Sequence, residues 1–439
     1  MSQQQVKNNT LFRNEVYVLT TMIIGTALKF LVSMQYARIL SPTLFGEFVL
    51  TLQILDFLKP FNQWGVFYAL TYYVPYYLEN NAMNYLRGFL IWMWRRVFTL
   101  SGVAIIIGII MAAFGYYLFF LRPETTKQFH LFFFLIWLIP LKVCAGLLNN
   151  LLNANKNYLA ATISTRIIFF LLLNLFLFTI YINLGNIAVP LVWVIAAYCL
   201  SLVLIILVQQ VVLVKNFRRT IIRFKPKYNI PDWNKKSNQM FLMGSVLSAI
   251  NMVDMLMLKL LGKNSYELGI LAAIFAVLLP LVLVNQVIKI VISPLIAPIM
   301  DHKEYPKLQK IINNTNLYKT LVLICVAALL IVFGKTILGL FGKEYIAYYP
   351  QFLLAMLGAV IYSLFDFSQM ILTYGEHVEI TDKLLVAQLG CIILLDVLLI
   401  PAYQLTGAIA AIVSGEVMIS VLSLYYVKKF HPIKPLSVI

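Results

Sequence analysis

Twelve apolar blocks, each about twenty residues or longer, fill almost the whole chain and are separated by short polar stretches. In lipid, every backbone polar group must be satisfied within a helix or a closed barrel. Blocks of this length predict helices rather than the short tilted strands of a barrel. The expected spans are 16–37, 44–70, 98–121, 129–152, 160–182, 187–214, 239–262, 266–295, 315–341, 350–373, 383–402 and 406–428. The pattern predicts an all-α integral membrane protein with 12 transmembrane helices in two pseudo-symmetric six-helix lobes.

Composition excludes a soluble fold, because 62% of the 439 residues are hydrophobic and only 12% are charged. The net charge of +17 gathers at block edges, where it acts as a topology signal. Nucleic acid is not an expected partner, since neither a soluble basic face nor a nucleic-acid module is present. The segment between the sixth and seventh spans holds Lys215, Arg218, Arg219, Arg223, Lys225, Lys227, Lys235 and Lys236 against one acid, Asp232. It is expected to face the cytoplasm. The same side receives Lys7 and Arg13, then Arg87, Arg95 and Arg96, then Lys156, Lys303, Lys307 and Lys310, and finally Lys428, Lys429 and Lys434. A multi-pass protein of the inner (plasma) membrane with both termini in the cytoplasm follows. The edge charges, Arg95 and Arg96 among them, are expected to touch anionic headgroups of membrane lipids. No cleavable leader is expected, because the first apolar block starts only after Met1 to Glu15. Residues 1–214 are the expected N-terminal six-helix lobe, 215–238 a cytoplasmic basic linker holding Pro226 and Pro231, and 239–439 the C-terminal six-helix lobe with a short cytoplasmic tail.

The halves read as diverged copies. YARILSPTLFGEFVL (Tyr36 to Leu50) is echoed by LKLLGKNSYELGIL (Leu258 to Leu271), and LLNNLLNANKNYLAATI (Leu147 to Ile163) by FSQMILTYGEHVEITDKLL (Phe367 to Leu385). LGNIAVPLVWVIA (Leu184 to Ala196) is matched by LTGAIAAIVSGEV (Leu405 to Val417). Copies of the same orientation, facing each other across a cavity, make a transport architecture. On ARILSPTLFGEF (Ala37 to Phe48), DMLMLKLLGKNSYELGIL from Asp254, LFGKEYIAYYPQFLLAM (Leu340 to Met356) and LIPAYQLTGAIAAIVSGE (Leu399 to Glu416), the chain resembles bacterial polysaccharide export flippases. These belong to the multidrug/oligosaccharidyl-lipid/polysaccharide exporter (MOP) superfamily. The resemblance spans nearly the whole chain. It implies a transporter, not an enzyme, that flips an undecaprenyl-pyrophosphate-linked oligosaccharide, as O-antigen flippases do, from the cytoplasmic to the outer leaflet by alternating access. The implied partners are the lipid-linked oligosaccharide, membrane lipids, a coupling Na+ or H+, and glycan polymerase or assembly proteins, with no cofactor.

Charged residues inside the blocks are the candidates for this chemistry. A charge at the bilayer centre costs at least about 2.5 kcal/mol. Lys29, Lys59, Lys142 and Lys289, in the first, second, fourth and eighth spans, must therefore face a cavity, pair with an acid or snorkel to an interface. Lys142 and Lys289 lie deepest, while Arg38 and Lys259 take corresponding places near the outer ends of spans one and seven. Asn285, four residues before Lys289, shares its face and offers an amide to sugar hydroxyls. These seven are the expected substrate-binding residues, the cations serving a pyrophosphate that needs several oriented donors. Asp56, Asp254 and Asp366 are expected either to bind the coupling ion or to act as counterions, and Asp396 and Glu416 to be structural pairs. Neither metal ligands nor catalytic residues are expected. Cys144, Cys199, Cys325 and Cys391 each sit alone in an apolar run as buried small hydrophobes, and His130, His302, His377 and His431 are scattered. Trp64, Tyr68, Tyr72, Tyr73, Tyr76 and Tyr77 read as an interfacial anchor, with stacking on a sugar face as the alternative. Two other functions remain open. An ion-coupled multidrug exporter of the same superfamily would want an acidic cavity, and a non-transporting scaffold of an envelope glycan assembly complex would bury its charges in pairs.

Overall fold

The computed structural model describes residues 3–121, 137–155, 157–184, 191–213, 223–301, 304–374 and 378–435. Lys215, Arg218 and Arg219 of the expected linker, Lys156, Lys303, His130, His302 and His377, residues 129–136 of the fourth span and 187–190 of the sixth lie outside the described residues, as do the side chains of Lys7, Arg13 and Tyr68.

Every element among the described residues is helical. In chain order they are α1 (Gln3–Ile39), α2 (Pro42–Gln63), α3 (Val66–Glu79), α4 (Met83–Leu121), α5 (Leu138–Ala154), α6 (Tyr158–Thr162), a π-helical turn (Ile163–Ile168), α7 (Phe169–Leu184), α8 (Leu191–Leu213) and α9 (Ile230–Leu261). They continue with α10 (Tyr266–Val277), α11 (Leu279–Asp301), α12 (Tyr305–Gly339), a 3-10 turn (Lys343–Tyr348), α13 (Tyr349–Tyr374) and α14 (Val378–Phe430). Large apolar side chains remain exposed along α4, α7, α8 and α12, Val332 at 71% for example, as expected where the solvent is hydrocarbon. The chain is a multi-pass, all-α membrane protein.

The number of spans corrects the expectation. The described residues hold eight helices long and apolar enough to cross a membrane, or nine when one bent pair counts as a single span, not twelve in two lobes of six. Three causes are visible. The expected span 44–70 is cut where Trp64 and Gly65 take left-handed backbone (φ 43° and 71°), and α2 before the cut carries Glu47, Asp56 and Lys59 in 22 residues. Of the expected fourth span the described residues hold only the 17 residues of α5, residues 129–136 lying outside them. Residues 383–402 and 406–428 join into one helical run, α14, interrupted only at Gln404 (φ 51°, ψ −128°).

The interruption in α14 is stitched by long-range partners. Glu267 Oε2 accepts from the Leu405 backbone N–H at 2.8 Å, and Gln404 Oε1 accepts from the Lys263 N–H at 2.8 Å. Pro401 lies just before and has no N–H of its own to place. In the same way α10 and α11 meet at a bend of 48°.

The chain forms two compact units. One comprises Met1–Val32 and Glu47–Ser248, the other Ser33–Gly46 and Ala249–Ile439. In the first unit Trp233 is fully buried, donates from Nε1 to Tyr77 Oη at 2.9 Å and meets Phe89 edge-on. Gly65 presses on the Ser237 backbone, and Trp64 stacks on Phe241 with centroids 4.6 Å apart, so α9 packs against the α2–α3 break. The core of the second unit centres on Phe341, Tyr345, Phe352 and Phe367. There Gly269 of α10 lies against Pro42, where a Cβ would come within 2.0 Å of the Pro42 carbonyl oxygen. Cys144, Cys199 and Cys391 are partly buried, whereas Cys325 is exposed, contrary to its expected burial.

Gly269→Ala is expected to lower the thermal unfolding midpoint of the purified protein, overpacking at such a contact costing about 1–3 kcal/mol. Gly102→Ala, where a Cβ meets nothing within 4 Å, should leave the midpoint unchanged or slightly raised. Scanning fluorimetry of the two variants side by side checks the contrast.

Candidate functional site

In the first unit α2 presents Asp56, Lys59, Pro60 and Gln63, at spacings of three, four and seven, on one face. With Gly65, Phe67, Gly146, Phe241, Gly244 and Ser248 they line a cavity of about 310 Å³. One oxygen of Asp56, Oδ1, receives two ammonium groups, Lys59 Nζ at 2.7 Å and Lys142 Nζ at 2.8 Å. Lys142, from α5, is 6% exposed and also donates to the Leu52 carbonyl at 3.2 Å. The Asp56 carboxylate itself is 51% exposed, so the pair is wet on the acid's side and dry on the lysine's. Lys29 of α1 is exposed and within electrostatic reach of both Asp56 and Arg166. Arg166 belongs to the π-helical turn, which comes close to α1 because residue 25 is glycine, a Cβ there falling 2.6 Å from that of Arg166. Such π-helical turns often mark functional positions. Asp56 and Lys59 thus line the cavity, Lys142 pairs with Asp56 from the buried side, and Lys29 stands in electrostatic reach of Asp56 with Arg166 beyond it.

The second unit holds a drier arrangement. Lys289 Nζ of α11 lies 3.0 Å from Oδ1 of Asp366 of α13, which is fully buried, and 5.6 Å from the Tyr362 ring centroid. Asn285 donates to Ser363 Oγ at 2.7 Å, so its amide nitrogen is committed to α13. Lys319 of α12, 2% exposed, sits 4.8 Å from the Phe367 ring centroid, feels the Asp366 charge, and has no hydrogen-bond acceptor among the described residues. Asp254 of α9 is buried and interacts electrostatically with Asp396 and Glu416 of α14. Asp396 is fully buried, and neither of its carboxylate oxygens meets a hydrogen-bond donor among the described residues. Glu416 packs its carboxylate over Gly358.

The two remaining residues are used at helix ends. Arg38 donates from Nε to the Leu340 carbonyl at 2.7 Å, and Lys259 donates to Ser265 Oγ at 2.8 Å; both belong to the second unit. Of the ten singled out in the sequence, the structure brings together Lys29, Asp56, Lys59 and Lys142 in one unit and Asn285, Lys289 and Asp366 in the other. Arg166 and Lys319 were missed. The available signal was a basic residue a few positions inside an apolar span, which is also where a snorkelling side chain is ordinary.

A family profile described as polysaccharide biosynthesis protein matches residues 11–300. No curated protein sequence matches the chain at a significant level. Among solved structures, an inward-facing multidrug resistance MATE family transporter of the MOP superfamily is similar, with a TM-score of 0.73 at 12% identity over 94% of this chain and 97% of that one. Lipid II flippase MurJ in an inward closed conformation is similar with a TM-score of 0.64 at 16% identity, over 94% and 87% of the two chains. A MOP superfamily transporter from Pyrococcus furiosus, described as having a binding pocket of reverse polarity, gives 0.65 at 15% identity over 94% of both chains. At these identities the likeness is one of fold.

Asp56→Asn is expected to destabilise the protein by about 1.5–3 kcal/mol, because buried Lys142 loses its charged acceptor. Lys59→Gln should cost less than about 1 kcal/mol, its ion pair being largely exposed. Adding Lys142→Met to Asp56→Asn should recover most of the loss. Thermal unfolding of the four proteins checks the order, and equal effects of Asp56→Asn and Lys59→Gln would contradict it.

Proposed function

The chain belongs to the polysaccharide biosynthesis protein family and has the fold of MOP superfamily transporters, and on that premise we propose that it carries an undecaprenyl-pyrophosphate-linked oligosaccharide from the cytoplasmic to the outer leaflet by alternating access. The observation that supports this most is the charged site of the first unit, where Asp56 and Lys59 line the cavity, Lys142 shares Asp56, and Lys29 is within electrostatic reach of Asp56. A pyrophosphate needs several oriented cationic donors. Asp56 keeps two of them in place, and its exposure makes the pair exchangeable, since a half-solvated ion pair is worth little. An incoming diphosphate can take over the ammonium groups without stranding a buried carboxylate. Phe67 and Phe241 supply apolar surface for sugar faces, and Gln63 and Ser248 supply hydrogen-bonding groups for hydroxyls. The basic edge residues favour the inner membrane as the site of action, with both termini in the cytoplasm.

A second reading, an ion-coupled multidrug exporter, rests on the acids of the second unit, buried Asp254 and Asp396 and half-buried Glu416. Carboxylates enclosed in a helix bundle can bind Na+ or H+ and couple a gradient to cargo. Multidrug transporters share this fold, so the fold accommodates this reading as it does the first.

Reconstituted liposomes separate the two. With a short-glycan polyprenyl-pyrophosphate as cargo, translocation is expected above the protein-free rate. Lys59→Gln and Lys142→Gln should each slow it about tenfold or more, the loss of a contact worth about 1.5–3 kcal/mol. If the glycolipid is not moved but a lipophilic cation leaves under an imposed Na+ or H+ gradient, and Asp254→Asn or Asp396→Asn abolishes that efflux, the exporter reading replaces the first.

A further inference from the structure

A second cationic feature lies apart from the cavity, within the first unit, where α4 meets the start of α9. Trp92, Arg95, Arg96 and Thr99 of α4, with Tyr228 and Ile230, line a pocket of about 280 Å³. Arg96 is fixed there. Its Nη1 donates to Asn234 Oδ1, and its guanidinium lies 5.3 Å from the Trp92 ring centroid. Arg95 is exposed and forms no ion pair among the described residues. The acid in the first turn of α9, Asp232, accepts from Asn229 Nδ2 at 2.5 Å, which draws its charge toward its own helix cap.

The two arginines stand at an abrupt change in α4. From Val97 to Leu121 the helix has no charged residue, a length sufficient at about 1.5 Å per residue to cross the hydrocarbon core. On the same stripe as Arg95, three, seven, eleven and fifteen positions on, lie Phe98, Gly102, Ile106 and Ile110. Phe98, Ile106 and Ile110 are 66%, 58% and 62% exposed, and a side chain added at Gly102 would meet open space. The stripe is therefore an outward apolar track with a notch one to two turns from a pair of guanidiniums.

We propose that this is a binding site for an anionic, phosphate-bearing lipid of the bilayer. The phosphate sits between Arg95 and Arg96, beside Thr99, whose hydroxyl donates to the Arg96 carbonyl at 2.8 Å, and an acyl chain follows the track past Gly102. Guanidinium groups suit phosphate because they donate in a planar fork. A free phosphate or pyrophosphate has the same headgroup chemistry but no use for the track, so the notch distinguishes the two sources. The site does not depend on the identity of the transported cargo.

The test is native mass spectrometry of the full-length protein in detergent, with phosphatidylglycerol or phosphatidylcholine added and inorganic pyrophosphate as competitor. Wild-type protein is expected to retain phosphatidylglycerol over phosphatidylcholine. Arg95→Gln, which leaves the Arg96–Asn234–Trp92 arrangement intact, should weaken retention about fivefold, from about 1 kcal/mol per arginine. Gly102→Leu, checked for an unchanged melting midpoint, should weaken lipid retention and leave pyrophosphate binding as it was. Equal retention of the two lipids, or no effect of Arg95→Gln, would overturn the proposal. Pyrophosphate binding that displaces lipid fully, together with an inert Gly102→Leu, would assign the pocket to a free anion instead.

Discussion

An ammonium group inside a membrane protein must find an anion, a carbonyl or water, because hydrocarbon offers it nothing. Among the described residues two lysine–aspartate pairs meet this requirement between helices distant in sequence, one in each compact unit. Lys142 of α5 reaches Asp56 of α2, and Lys289 of α11 reaches Asp366 of α13. They differ in which partner is dry. In the first unit the lysine is buried and the acid is open, so the acid can trade its place with a ligand. In the second the acid is fully buried, and removing Lys289 would strand it in the core. The first pair has the character of a site and the second that of a fastening, although both arise from the same desolvation cost.

Much of the architecture was legible from local properties. Block length and hydropathy gave an all-α, multi-pass membrane protein because each helix satisfies its own backbone. The number of crossings was not legible, because the breaks depend on partners far along the chain. Gly65 turns where the Ser237 backbone lies against it, and α14 tolerates Gln404 because Glu267 accepts the Leu405 amide. A hydropathy profile contains neither contact. It does mark the division between residues 402 and 406, where the backbone of α14 leaves helical geometry at Gln404.

The charged residues divide in the same way. Depth within a span singled out Lys142 and Lys289 as facing a cavity or pairing across helices, and each has an aspartate from another helix, while the i,i+3 spacing marked Asp56 with Lys59. What depth could not reveal is that Asp56 is shared, with its second lysine arriving from another helix. Asp396 shows the reverse error. Its place near a span end suggested structural pairing, but it is fully buried near Asp254, and neither carboxylate oxygen meets a donor among the described residues. Arg38 and Lys259, expected as a matched pair on two lobes, instead fasten helix ends within a single unit.

The two contacts of Lys142 have a geometric consequence. Its ammonium touches the Leu52 carbonyl and the Asp56 carboxylate, which are one turn apart on α2. A single point charge held by two marks on one helix fixes that helix's rotational phase, since slipping by one residue would swing Asp56 away by about 100°. Lys59 and Gln63 follow Asp56 round the same face, so the ammonium from α5 acts as a set-screw that decides which chemistry α2 shows to the cavity.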